Sequence, residues 1–187
     1  MAISFTEENY LKVIHRLSEA TSEDISTNAV AELMQTKAAS VTDMLRKLAE
    51  KGWVNYQKYQ GVRLSVEGEK IALSIVRKHR LWEVFLVDKM GFNWDEVHEI
   101  AEQLEHIESD QLINKLDEYL GFPKTDPHGD PIPNKEGILL ELTRQGYINL
   151  GLKVKEARDS KTNCSPSGTT RINGRPIVCI QTRRASK

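Results

Sequence analysis

Cysteine is scarce in this chain. Cys164 and Cys179 are the only two, and they form no C-x-x-C pair. That argues against a thiolate metal ribbon or a disulfide-stapled scaffold, and makes a reducing, cytoplasmic setting the expectation. No run of about 18 apolar residues occurs, so no membrane span is expected. The opening MAISFTEENY has no basic region followed by an apolar stretch, so secretion is not expected either. Prolines are few, and four of the six crowd into residues 123–133. What remains is 187 residues with 39% hydrophobic content, enough for one or two domains with cores of their own.

The formal net charge of -1 hides a strong asymmetry. Residues 1–80 carry 12 Lys/Arg and 10 Asp/Glu. Residues 81–133 carry 3 and 13, and residues 134–187 carry 11 and 4. A middle block that acidic repels itself, and bound cations would relieve it. A solvated acidic face is the plain alternative, but this block also holds histidines.

Local patterns give the order of elements. Thr6, followed by two glutamates, opens a helix to about Leu17, with Tyr10, Val13, Ile14 and Leu17 at helical spacing. Thr27 can cap a short helix to Leu33, and Gln35–Thr36 form a turn. A longer helix runs from Lys37 or Ala38 to Glu50 and stops before Gly52. Residues 53–65 change period and flank Tyr59-Gln60-Gly61, a hairpin signal. This is the order of a winged helix-turn-helix. A long helix from about Glu67 to Val87 should follow and link two domains. Asn93 or Asp95 can start another, running to about Ile107, and Ser109 caps one to about Leu120. Residues 123–133 read as turns. The fold class is therefore mainly α with a small β wing. The domains are 1–66, a DNA-reading unit, and 67–133, a helical unit. Residues 134–187 form a basic tail where weak order is expected, with a short apolar run over Ile138–Thr143 and a strand over Ile177–Ile180 as its local signals.

In the helix after Thr36, Val41, Met44, Leu45 and Leu48 form the buried stripe. The candidate DNA-contacting residues are Thr36, Lys37, Ala39, Ser40, Asp43 and Lys47 on the reading helix, with Lys58 and Arg63 on the wing. Short polar groups near a helix start reach base edges, and basic groups meet phosphate oxygens. A wing that binds protein instead stays open as an alternative.

His98, Glu102, Glu105 and His106 recur at i, i+4, i+7 and i+8, one face of a helix. His79 and Glu83 form an i, i+4 pair on the linking helix. Six nitrogen and carboxylate donors without sulfur suit Mn(II), Fe(II), Co(II) or Zn(II). His98-Glu99-x-x-Glu102 partly matches the zinc-protease H-E-x-x-H but lacks its second histidine. Glu102-x-x-Glu105-His106 likewise lacks the first histidine of H-x-x-E-H, and no separate nucleophile or phosphate loop is visible. A hydrolase is thus a remote alternative, and the chain is not expected to be an enzyme.

Several motifs now fall together: Glu8-Asn9-Tyr10-Leu11-Lys12, Ala39-Ser40-Val41-Thr42, Val76 to Glu83, Val97-His98, Glu102-x-x-Glu105-His106 and Pro127-His128-Gly129-Asp130-Pro131-Ile132-Pro133. In this order and over residues 5–133 the chain resembles the diphtheria-toxin-repressor family of metal-dependent transcriptional regulators, which includes iron-dependent repressors and manganese transport regulators. The resemblance implies a winged-helix domain, a helical metal-binding and dimerisation domain, and a homodimer on a pseudo-palindromic DNA operator. It carries over as ligands Asn9 on the first helix and His79, Glu83, His98, Glu102, Glu105 and His106, with Mn(II) or Fe(II) as cofactor. Iron-type members tend to have cysteine where Glu102 stands, so Glu102 favours manganese. Manganese-type members usually carry carboxylates where Asn9 and Lys12 stand. Lys12 cannot ligate while charged, which speaks against a closely spaced binuclear site and leaves open two separated single-metal sites, one around Glu102, Glu105 and His106 and one around His79, Glu83 and His98. The implied role is repression of metal-uptake genes, the alternative a winged-helix module without a metal switch. The small SH3-like domain of some members is not visible in residues 134–187.

Overall fold

The computed structural model describes residues 3–143 and the strands at 146–149, 169–172 and 175–178. Helix α1 (Phe5–Ala20) opens on Ser4, earlier than expected. Ser4 accepts from the Glu7 amide while the Glu7 carboxylate accepts from the Ser4 amide, a reciprocal box that Thr6, with Asn9 three positions on, does not make. Helix α2 (Thr27–Leu33) is capped by Ser26 rather than Thr27. Gln35 turns the chain with φ 48°, and α3 (Ala38–Glu50) follows as expected.

Strand β1 (Val54–Gln57) pairs antiparallel with β2 (Gly61–Leu64). Ile25, between α1 and α2, joins this hairpin through two 2.9 Å backbone hydrogen bonds with Val62. Gly61 permits the approach: its φ is +125°, and a Cβ there would stand 2.7 Å from the Ile25 carbonyl oxygen. Around this frame Leu11, Ile14, Val30, Val41, Leu45 and Leu48 form a core with no exposed surface.

Helix α4 (Val66–Asp88) runs 23 residues without a break. Gly68 lets the chain after α3 cross its first turn, since a Cβ there would lie 1.9 Å from the Trp53 carbonyl oxygen. Ala72 of α4 belongs to the first core, whereas Leu81 and Val84 belong to a second with Ile113, Leu116 and Ile132. α4 packs against α1 in its first half and against α5 and α6 further on.

Helix α5 (Val97–Leu104) is shorter than the sequence suggests. Asn93 Nδ2 donates to the Glu96 carboxylate at 3.2 Å, and the Glu96 amide donates to the Asn93 carbonyl, so these polar residues close a turn instead of capping a helix. Glu105 caps the C-terminus and His106 lies just beyond, so the four-residue stripe is not one helical face. α6 (Asp110–Tyr119) is capped by Ser109 and released at Gly121, φ 75°.

The proline-rich turns are tied by Asp126, whose carboxylate accepts the amides of His128 and Asp130, each at 2.9 Å. Beyond residue 134, where weak order is expected, β3 (Leu140–Thr143) pairs with β4 (Gly146–Asn149) inside the compact unit Met1–Gly151. A separate unit, Leu152–Lys187, holds the hairpin of β5 (Thr169–Ile172) and β6 (Arg175–Val178). The strand expected over Ile177–Ile180 therefore starts two residues earlier.

Candidate metal centre and DNA-reading face

His79 and Glu83 stand one turn apart on α4 and face His98 on α5. Their ligand atoms all lie within 4.8 Å of one another. His79 Nε2 is 3.1 Å from Glu83 Oε1 and 3.2 Å from His98 Nδ1, which is itself 3.4 Å from the same oxygen. Two ring nitrogens that face each other can share only one proton between them. A divalent cation satisfies both nitrogens and the carboxylate at once, so the donor set fits a metal of the Mn–Zn series. A cavity of about 500 Å³ opens over the trio; Glu102, Asp126, His128 and Trp94 also line it. His128 Nε2 approaches Glu83 Oε1 to 3.6 Å. His128 and Asp126 are not among the candidates, because their turn lies 22 to 24 residues beyond the end of α5 and no helical spacing points to it.

A second group lies behind the first. Glu105 is fully buried. Its Oε2 meets His79 Nδ1 at 2.6 Å, and its Oε1 meets Lys12 Nζ of α1, also at 2.6 Å. Lys12 reaches Glu102 as well, at 3.4 Å. His106 Nδ1 contacts the Glu8 carboxylate at 2.5 Å and stacks on Phe5 with ring centroids 4.7 Å apart. The first-helix residue brought to His106 is therefore Glu8. Asn9 lies half-buried one position on. Glu8 and Lys12 are one helical turn apart and share the face of α1 turned toward this group.

The charges are mutually supported. Burial works against the His79 cation, but the Glu105 and Glu83 carboxylates outweigh it and hold its pKa above the usual value. Burial likewise raises Glu83 and Glu105, yet His79 pulls both below the usual carboxylate value, with Lys12 adding to the effect on Glu105. Asp126 goes the other way, raised by burial and by the neighbouring Glu83 charge.

On the reading head, Thr36, Lys37, Ala39, Ser40 and Asp43 are exposed along the start of α3. Asp43 pairs with Arg46 at 3.2 Å. Lys47 is half-exposed, with its Nζ 3.1 Å from the buried Glu7, which Lys51 also meets at 2.6 Å. Lys58 lies over the Tyr59 ring. Arg63 is engaged inward, by Asp24 and by the Ser22 carbonyl, so it is less available to a phosphate than its wing position suggests. The wing tip instead presents Tyr59, 93% exposed with φ 69°. A cavity of about 330 Å³ runs between α2, the start of α3 and the wing.

Comparison with known proteins turns this geometry into a family. Residues 3–62 match the family model "Iron dependent repressor, N-terminal DNA binding domain", and residues 65–134 match "Iron dependent repressor, metal binding and dimerisation domain". The chain belongs to the iron dependent repressor family. Among curated members it is 32% identical over 128 residues to the iron-dependent repressor IdeR of Mycobacterium leprae, covering 68% of this chain and 55% of that one. It is 35% identical over 109 residues to an uncharacterized HTH-type transcriptional regulator of Methanocaldococcus jannaschii, covering 58% and 87%. A solved manganese-dependent transcriptional repressor in complex with manganese is 44% identical, covering 73% of this chain and 62% of that one with a TM-score of 0.67. The chain thus spans about half the length of the IdeR it matches. The winged helix-turn-helix and the helical second half are the fold of this family.

Proposed function

We propose that the chain is a Mn(II)- or Fe(II)-dependent DNA-binding repressor that acts in the cytoplasm as a homodimer on a pseudo-palindromic operator, with metal-uptake genes as its targets. The division is residues 1–66 for reading and 67–133 for metal and dimer contacts. The observation that carries this reading is the His79–Glu83–His98 trio and its connection through Glu105 and Lys12 to α1. A bound divalent ion supplies positive charge to a trio that otherwise depends on protons. His79 then holds Glu105 with its second nitrogen, and Glu105 holds Lys12. α1 in turn grips α3 through Glu7, Lys47 and Lys51. The tilt of the reading helix thus depends on how firmly α4 and α5 hold α1. Thr36, Lys37, Ala39, Ser40 and Asp43 would face base edges, with Lys47 and Lys58 toward phosphates and Arg63 supporting the wing. Catalysis is no part of this reading, because the matched family models describe repressor domains; Glu99, where a protease would keep its base, is exposed.

The test is DNA binding titrated in parallel with Mn(II), Fe(II), Zn(II) and Co(II). Mn(II) or Fe(II) should convert weak binding to tight binding at a two-fold site. Equal binding after exhaustive chelation would overturn the proposal.

A further inference from the structure

A protein side chain already stands where a second cation would be expected. Lys12 Nζ lies 2.6 Å from the fully buried Glu105 and 3.4 Å from Glu102. These two carboxylates, with His106 Nε2 at 3.9 Å from Glu105, form the second donor group of the centre. Lys12 is largely covered, with 19% of its side chain exposed, so the contact is not a loose surface pair. A carboxylate with no exposed surface needs a permanent partner, since burying it unpaired is costly. His79 answers one oxygen of Glu105 and Lys12 answers the other. Every oxygen of Glu105 is therefore engaged before any metal arrives.

We propose that Lys12 is a tethered cation that permanently fills the Glu102–Glu105 position, so that each chain takes one divalent ion, at His79, Glu83 and His98, and not two. The ammonium belongs to α1, so this cation also ties the reading head to α5 without metal. His106 is left to hold Glu8, not a metal. The two donor groups then differ in kind: one responds to metal, the other is built in. Only the metal-bound half of this inference rests on the function proposed above.

The experiment is equilibrium dialysis of the full chain against MnCl2, with melting curves taken in EDTA, for wild type, Lys12→Met, Lys12→Gln, Lys12→Arg and the double variant Lys12→Met, His98→Ala. Wild type and Lys12→Arg should bind one Mn(II) per chain. Lys12→Met and Lys12→Gln should bind two, because the freed carboxylates accept an ion. The double variant should bind one. In EDTA, Lys12→Met should melt lower than wild type by about 5 °C or more, and Lys12→Arg should melt nearer to wild type. Two ions on wild type would overturn the proposal whether or not any variant folds. So would a folded Lys12→Met, or in its place Lys12→Gln, that still binds one. No ion on wild type but one on Lys12→Met would remove the metal switch and leave the lysine's role standing. None on either would remove both.

Discussion

Glu7→Gln isolates the contact that fastens α1 to the reading helix. Glu7 is buried, and Lys51 and Lys47 meet it at 2.6 and 3.1 Å. Burial raises its pKa, but the Lys51 hydrogen bond, the Ser4 amide and Lys47 outweigh that and bring it from 4.5 down to about 2. At about 1.4 kcal/mol per tenfold change, that gap corresponds to about 3 kcal/mol at most. Lys47 is half-exposed, so Lys51 and the amide should supply most of it. The sign follows from a depressed carboxylate pKa. The stabilisation is complete above about pH 4.5 and is lost as pH falls toward about 2. Glutamine has the same shape and cannot ionise. Urea unfolding of both proteins in EDTA, at pH 7, 5, 4 and 3, should show a difference of about 2–3 kcal/mol at pH 7 that shrinks on acidification. Other carboxylates titrate in the same range, but they do so in both proteins and cancel in the difference. A gap below about 0.5 kcal/mol at pH 7, or one that does not change with pH, would refute the reasoning.

Gly68→Ala places a methyl group against the Trp53 carbonyl; thermal unfolding should show a loss of about 2 kcal/mol or more, and wild-type stability would mean the crossing is looser than described. Mn(II) at about a hundred times its dissociation constant should stabilise the wild type by about 2.7 kcal/mol, a rise of about 5–10 °C in melting temperature that His98→Ala largely removes. Lys47→Ala should weaken DNA binding across sequences and lower the salt dependence by about one phosphate contact while Mn(II) uptake stays the same; equal loss of both would contradict the division of labour.

The parts legible in the sequence were those governed by short-range periodicity. Val41, Leu45 and Leu48 announce the reading helix, and Tyr59-Gln60-Gly61 announces the wing. His79 and Glu83 lie one turn apart on a helix that does form. Contacts set by tertiary packing were not legible. Nothing local distinguishes Glu8 from Asn9; the angle at which α1 crosses α4 decides which one meets His106. Asp126 and His128 reach the centre only because a turn folds back across the end of α4. Asn93 and Asp95 look like helix caps, yet in this context Asn93 bonds Glu96 and holds a turn. Arg63 looks like a phosphate ligand until Asp24 and Ser22 are brought beside it. Each of these depends on a neighbour distant in sequence, which propensity and spacing do not encode.

The unbroken α4 has a mechanical consequence. Its 23 residues make a rod about 34 Å long with no joint between the end that seats the wing and the end that carries His79 and Glu83. Bending at a hinge is unavailable along it. Adjustment must come as rocking of α1 across its flank, where a pivot of about 5° acting over the length of that rod sweeps its far tip by about 3 Å. That sweep is about one base-pair step along a double helix, so a stiff shaft would turn a small change in how α1 is held into a change of register between paired heads.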